Sequence, residues 1–190
     1  MNKQAIYSIL SGTILLFIWN AVSWMVLPFH SNTLNTIPDT VIQPAEVLKE
    51  AMRESGVYHY PGLPEGNSAA AMEEIEAKLA EGPRITLMVY KNEPTELFEL
   101  SSFIFGAVTN LLTALIVFLI ISRLGVTNLR SAVITCLLIG AAAAIVSDIS
   151  QMNWYMFPVD YTLINVADKL VAFGLLGLVF GLYVRRTSVS

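Results

Sequence analysis

Four stretches of this chain are long, apolar and almost free of charge: 6–27, 101–122, 131–147 and 162–184. A helix needs about 20 apolar residues to cross a bilayer core about 30 Å thick. All four runs reach that length, the third only narrowly, so the pattern predicts four membrane-spanning helices. In full the organisation expected is helix 1 over 1–27, an insert over 28–99, helix 2 over 100–122, helix 3 over 131–150 and helix 4 over 162–184. The first run exceeds the roughly 7–15 residues of a signal-peptide core and ends in Trp24-Met-Val-Leu-Pro28 without a small-x-small cleavage site, so it is read as an uncleaved anchor.

The insert is patterned differently. From Pro44 to Gly56 a helix is expected, with Pro at its start, Gly just past its end and Val47, Leu48, Ala51 and Met52 on one face. A second helix fits 68–81, with Met72, Ile75 and Leu79 on one side and Gly82-Pro83 as its stop. Residues 84–91 read as a strand of β-branched and aromatic residues, and 57–60 as its pairing partner. The order helix, strand, helix, strand suggests a β-α-β unit, with a right-handed crossover if the strands are parallel. So short a segment buries little core of its own, and it is expected to rest on the outer end of the helices. The fold class is therefore an all-α membrane protein: a four-transmembrane-helix bundle with a small extracytoplasmic α/β insert between helices 1 and 2.

Composition agrees. Of 190 residues 55% are hydrophobic and 14% charged, against about 25% charged in soluble domains. Lys3, Arg123, Arg130, Arg185 and Arg186 flank the helices on one side, whereas the 149–161 link on the other side has no Lys or Arg. By the positive-inside rule both termini are cytoplasmic and the insert faces outward. The insert holds 12 Asp/Glu against 5 Lys/Arg, a net of −7, which excludes nucleic acid as a partner and attraction to anionic headgroups. The single cysteine, Cys136, lies mid-helix and reads as a packing residue, so the insert folds without disulfides. Trp19, Trp24, Phe29, Trp154, Tyr155, Phe157 and Tyr161 read as an interfacial aromatic belt.

Small residues mark close helix packing: Gly140 and Ala144 in the third helix, Gly174, Gly177 and Gly181 in the fourth. Such spacing lets backbones approach where no hydrophobic force acts between helices. Polar residues interrupt the spans at Asn20, Asn110, Asp148, Asn165, Asp168 and Lys169. Counted at about 1.5 Å per residue, Asn20 and Asn110 lie about 10 Å from the outer helix ends. On the same count Asp148 closes the third helix, and Asn165, Asp168 and Lys169 fall in the first two turns of the fourth. All six sit in the outer half; the inner half has only isolated hydroxyls and Cys136. A channel or relay needs polar groups along its whole length. Three readings of the cluster stay open: a structural ion pair or polar knot, a ligand or lipid-headgroup site, and proton or ion translocation. Asp168 needs a partner, either Lys169 next door or a donor on another helix.

His30 and His59 lie outside the spans without metal-ligand spacing, and no nucleophile elbow, phosphate loop or zinc-protease motif is present. No metal or cofactor is expected, and catalysis is not the favoured reading. The Trp24-x-x-x-Pro28-Phe29-His30 stretch closing helix 1, followed by an acidic insert, resembles small uncharacterised bacterial inner-membrane proteins. That resemblance implies a multi-pass protein of the bacterial inner (plasma) membrane with a periplasmic loop, and it implies no activity. Claudin-type topology is set aside because the insert has neither Trp nor Cys. The function expected is a non-enzymatic membrane protein whose outer cap and outer-half polar pocket bind a partner protein, lipid or small ligand. The alternative is a small transporter or proton-coupled carrier using Asp168, Lys169 and Asp148.

Overall fold

A computed structural model describes residues 3–42, 45–62 and 68–187. The chain divides into two units, Met1–Asn35 with Leu97–Ser190, and Thr36–Glu96. In the first, α1 (Lys3–Ala21) passes without a break into a π-helical turn, Val22–Val26. Helix α5 (Leu100–Arg123) ends at Leu124-Gly125, where Gly125 takes the positive φ that releases the chain from the helix. Asn128 caps the next helix, its side chain accepting from the Ser131 N–H at 2.9 Å. That helix, α6 (Leu129–Ala144), continues through a second π-helical turn, Ile145–Ile149, into α7 (Ser150–Tyr155). Met156 turns in a left-handed conformation, and α8 (Val159–Thr187) follows Pro158.

The resulting helices are Lys3–Val26, Leu100–Arg123, Leu129–Tyr155 and Val159–Val184, of 24, 24, 27 and 26 residues, each long and apolar enough to cross a membrane. Two boundaries correct the sequence reading. The third helix does not stop near residue 150; it runs to Tyr155, so the link to the fourth is only three residues long. Gln151 and Asn153 did not end it, because a helix end is made by backbone geometry, here Met156 and Pro158. The fourth helix begins at Val159, which puts Asp168 nine residues in. That is about 13 Å along the axis and beyond the first two turns. Asp148 likewise does not close its helix, which continues for seven residues.

Helix α8 lies between α6 and helix 1, and helix 1 lies between α8 and α5. The buried core is apolar and comes from all four helices, with Ile9, Leu16, Val117, Ile121, Cys136, Leu176 and Phe180 at its centre. Phe118 of α5 meets Phe180 edge-on at 5.5 Å between ring centroids. Along the α6–α8 seam the glycines sit against neighbours. A Cβ at Gly177 would come 2.6 Å from the Val133 Cα, one at Gly181 2.9 Å from the Leu129 Cα, and one at Gly140 2.8 Å from Phe173. Gly174 is looser, its nearest neighbour being Leu137 at 3.5 Å, and Ala144 is buried.

In the second unit, α2 (Asp39–Ile42) and α3 (Ala45–Ala51) precede β1 (Gly56–Tyr60), α4 (Ala69–Glu81) and β2 (Ile85–Tyr90). The expected helix start at Pro44 and the side chain of Val47 lie outside the described residues, as do the Arg185 and Arg186 side chains. Helix α3 stops at Ala51, and Gly56 opens β1 instead of ending a helix. Ser68 caps α4, accepting from the Ala71 N–H, and Gly82 closes it at φ 63°. The strands pair antiparallel, with Tyr60 opposite Ile85 and Gly56 opposite Tyr90. The connection through α4 therefore leaves and returns at one end of the sheet, so the handedness rule for parallel crossovers does not apply. Ser55 ties the other end, donating to Glu93 and accepting from the Asn92 N–H, and this hydrogen bond lowers the Glu93 pKa. Val57 and Val89, opposite each other, are exposed, and among the described residues of 36–96 only Pro61 is buried.

Because the Gly177 contact is with backbone, it cannot relax by a rotamer change. Gly177→Ala is expected to destabilise the protein by about 1–3 kcal/mol, the usual effect of overpacking, while Gly174→Ala is tolerated. Thermal unfolding of the two variants in detergent checks this, and equal melting temperatures would contradict it.

Candidate functional site

Asp168 and Lys169 are neighbours in α8, and successive helical residues point about 100° apart. They do not pair with each other. Lys169 turns to the third helix, where its Nζ donates to both oxygens of Asp148 at 2.7 and 2.8 Å. Ser147 supports that carboxylate, its hydroxyl lying 2.9 Å from Asp148 Oδ2 and 2.9 Å from the Ala143 carbonyl. Asp168 turns to helix 1, where the Ser23 hydroxyl donates to its Oδ1 at 2.6 Å. Both partners stand in the π-helical turns, Ser23 in Val22–Val26 and Asp148 in Ile145–Ile149. Such widened turns recur at functional sites.

His30 completes the Asp168 side. After Pro28 the chain bends into a short 3₁₀ turn, Ser31–Thr33, and both the Thr33 N–H and its hydroxyl donate to the His30 carbonyl. The ring is 2% exposed and stacks on Trp24, with centroids 3.8 Å apart and planes 9° from parallel. Its Nε2 lies 3.2 Å from Ser23 Oγ and 3.9 Å from Asp168 Oδ2. Ser23 has one hydroxyl proton and gives it to Asp168, so the Ser23–His30 contact is a hydrogen bond when Nε2 carries the proton. The array then runs His30 Nε2–H to Ser23 Oγ–H to Asp168 Oδ1. His30 Nδ1 is left buried without a hydrogen-bond partner among the described residues, and so is Trp19 Nε1.

These groups edge a cavity of about 210 Å³ between helix 1 and α8. Trp19, Phe29, Ile164 and Val171 form apolar walls, Ser23, His30 and Asp168 the polar floor, and Ala167 the rim. The order of the three polar residues differs from a nucleophilic triad, where the imidazole stands between hydroxyl and carboxylate and takes the hydroxyl proton. Here the hydroxyl stands in the middle and its proton goes to the carboxylate. Among the described residues no group of three or more His, Cys, Asp or Glu is placed to hold a metal.

The other residues singled out in the sequence go elsewhere. Asn20 Nδ2 donates to Asn110 Oδ1 at 3.1 Å, linking helix 1 to α5 beside a groove of about 450 Å³ that also includes Phe17, Trp24, Phe103 and Gly106. Asn165 turns back on its own helix, donating to the Tyr161 carbonyl at 2.8 Å. The six residues thus form separate pairings in place of one cluster. Ser23 and His30, which sequence reasoning passed over as site residues, are the ones that reach Asp168. One signal pointed to Ser23: Ala5, Ile9, Gly12 and Leu16 form the buried stripe of α1 at spacings of four and three, and Trp19 and Ser23 continue it.

Lys169→Met leaves the nine-tenths buried Asp148 carboxylate with Ser147 as its remaining side-chain donor. Breaking a fully buried pair costs about 3–5 kcal/mol; with the Lys169 side chain 34% exposed, a loss of about 2 kcal/mol is expected. Adding Asp148→Leu should recover most of it. Unfolding in detergent or lipid checks both steps, and an unaltered melting temperature for Lys169→Met would contradict the assignment.

No curated protein and no solved structure matches this chain. A family model matches residues 83–181, from just before β2 to Gly181. That stretch holds Asn110, Asp148, Asn165, Asp168 and Lys169 and leaves out helix 1 with Ser23 and His30. Covering more than half of the chain, the match makes this protein a member of the family described as Protein of unknown function (DUF1761).

Proposed function

We propose that this is a non-enzymatic, multi-pass membrane protein that binds a small ligand or a lipid headgroup in the cavity between helix 1 and α8. The observation that carries the reading is His30. A buried imidazole with an unpartnered Nδ1, beside a carboxylate and at the edge of a cavity, is a polar group whose burial is uncompensated until something occupies that space. Four helices of membrane-crossing length supply the setting. Lys3, Arg123 and Arg130 stand at the helix ends remote from the insert, which favours cytoplasmic termini and an outward-facing insert, in a bacterial inner membrane. The cavity then opens in the outer half of the bilayer, where a headgroup or an extracytoplasmic solute has access. The inward half of the core is apolar and closely packed, which weighs towards binding over transport.

Ala167→Trp puts a large ring at the cavity rim, on an exposed position of α8, without altering the polar floor. The wild-type protein extracted from membranes is expected to carry a lipid or small molecule that native mass spectrometry detects, and the Trp variant to lose it. The same bound species at the same occupancy in both proteins would sink the proposal.

A further inference from the structure

We propose that the cavity takes a protonated amine with an oxygen acceptor close by, the chemistry of an ethanolamine group, whether free or as a phospholipid headgroup. The inference rests on the binding reading above and narrows it. Asp168 is 16% exposed, yet no Lys or Arg pairs with it among the described residues. Its neighbour Lys169 is turned away and held by both oxygens of Asp148. Oδ1 accepts from Ser23. Oδ2 has only the His30 Nε2 at 3.9 Å, and that proton is directed to Ser23. An acceptor oxygen of a carboxylate is thus left at the cavity floor, where an N–H donor would make a charge-assisted bond.

The two unpartnered atoms sharpen the chemistry. With Nε2 protonated, His30 Nδ1 is a second acceptor beside the same space, and an ammonium has three N–H groups to give. Trp19 Nε1 is a donor without a partner, so the ligand also needs an oxygen within reach of the amine. The aromatic walls of Trp19 and Phe29 favour a cation. An anion would meet Asp168 with no cation free to offset it. About 210 Å³ is below the roughly 300 Å³ at which pockets for drug-sized ligands begin, which suits a headgroup of a few heavy atoms. A quaternary choline group carries the same charge without any N–H, so it satisfies the aromatic walls but neither acceptor.

The full-length protein is reconstituted into phosphatidylglycerol nanodiscs, and tryptophan fluorescence is followed as ethanolamine or choline is added. In a second arm, nanodiscs of phosphatidylcholine doped with phosphatidylethanolamine are used, and retained lipid is read by native mass spectrometry. Saturable binding of ethanolamine at least tenfold tighter than choline supports a free amine. Preferential retention of phosphatidylethanolamine with no response to ethanolamine supports the headgroup. In either arm Asp168→Asn should weaken the effect at least tenfold and Asp160→Asn, in the first turn of the same helix, should not. Trp19→Phe keeps a ring but removes the N–H, and should weaken it at least threefold, which keeps the test decisive if Asp168→Asn fails to fold. Choline equal to ethanolamine, neither arm responding, or binding indifferent to these variants would overturn the amine. A bound species lost in Ala167→Trp but untouched by Asp168→Asn would do so while leaving the pocket reading in place.

Discussion

Opposite charges on consecutive residues of one helix cannot face the same neighbour, and the arrangement of this protein follows from that constraint. Asp168 and Lys169 point about 100° apart around α8, so each must find its partner on a different helix. Lys169 reaches the third helix and closes a two-pronged ion pair on Asp148; Asp168 reaches helix 1 and takes the Ser23 hydroxyl. α8 is thereby linked on both flanks at nearly one level. In hydrocarbon, where apolar surfaces gain little by meeting each other, polar contacts of this kind fix which helices are neighbours. The same separation leaves Asp168 without a lysine or arginine, which is why the chemistry gathers on the helix 1 side.

Packing farther along α8 belongs to a different physical regime. Gly177 and Gly181 bring α8 against the backbone of α6, and Gly140 admits the Phe173 side chain. Close approach there depends on missing side chains, and the strength of the seam comes from dispersion over many short contacts. One end of the helix assembly is thus specified by hydrogen bonds and charge, the other by shape. The cavity sits at the specified end, where a rigid floor of Ser23, His30 and Asp168 is already positioned.

The four helices were legible because length and apolarity are properties of a single segment, and a bilayer sets one threshold for all of them. Their ends were less so. Residues 150–155 include Gln151 and Asn153 and read as a link, yet the helix runs through them because nothing stops it before Met156 and Pro158. In the insert the strands were legible from composition and their direction was not, since strand order does not say at which end of the sheet a connection closes. Polar positions were found, but their partners were not, because partnership depends on how each helix is rotated about its axis. Asp148, Asp168 and Lys169 read as one cluster when only depth was counted, and rotation divides them into two sets of partners. His30 lies beyond the end of its helix, and the Pro28 bend that returns it to Asp168 leaves no periodic trace.

The π-helical turns at Val22–Val26 and Ile145–Ile149 carry a consequence about residue number as distinct from residue identity. Each such turn holds one residue more than the α-helical turn it replaces. Removing any single residue from Val22–Val26 would let helix 1 close into a regular α-helix, and everything beyond the deletion would rotate by about 100°. The Pro28–His30 bend would swing off Asp168 with every side chain chemically intact. The same deletion in Ile145–Ile149 would turn α7 and the hairpin at Met156, through which α8 is attached. The site is therefore held by a count, and in these two places a missing residue would do more damage than almost any exchanged one.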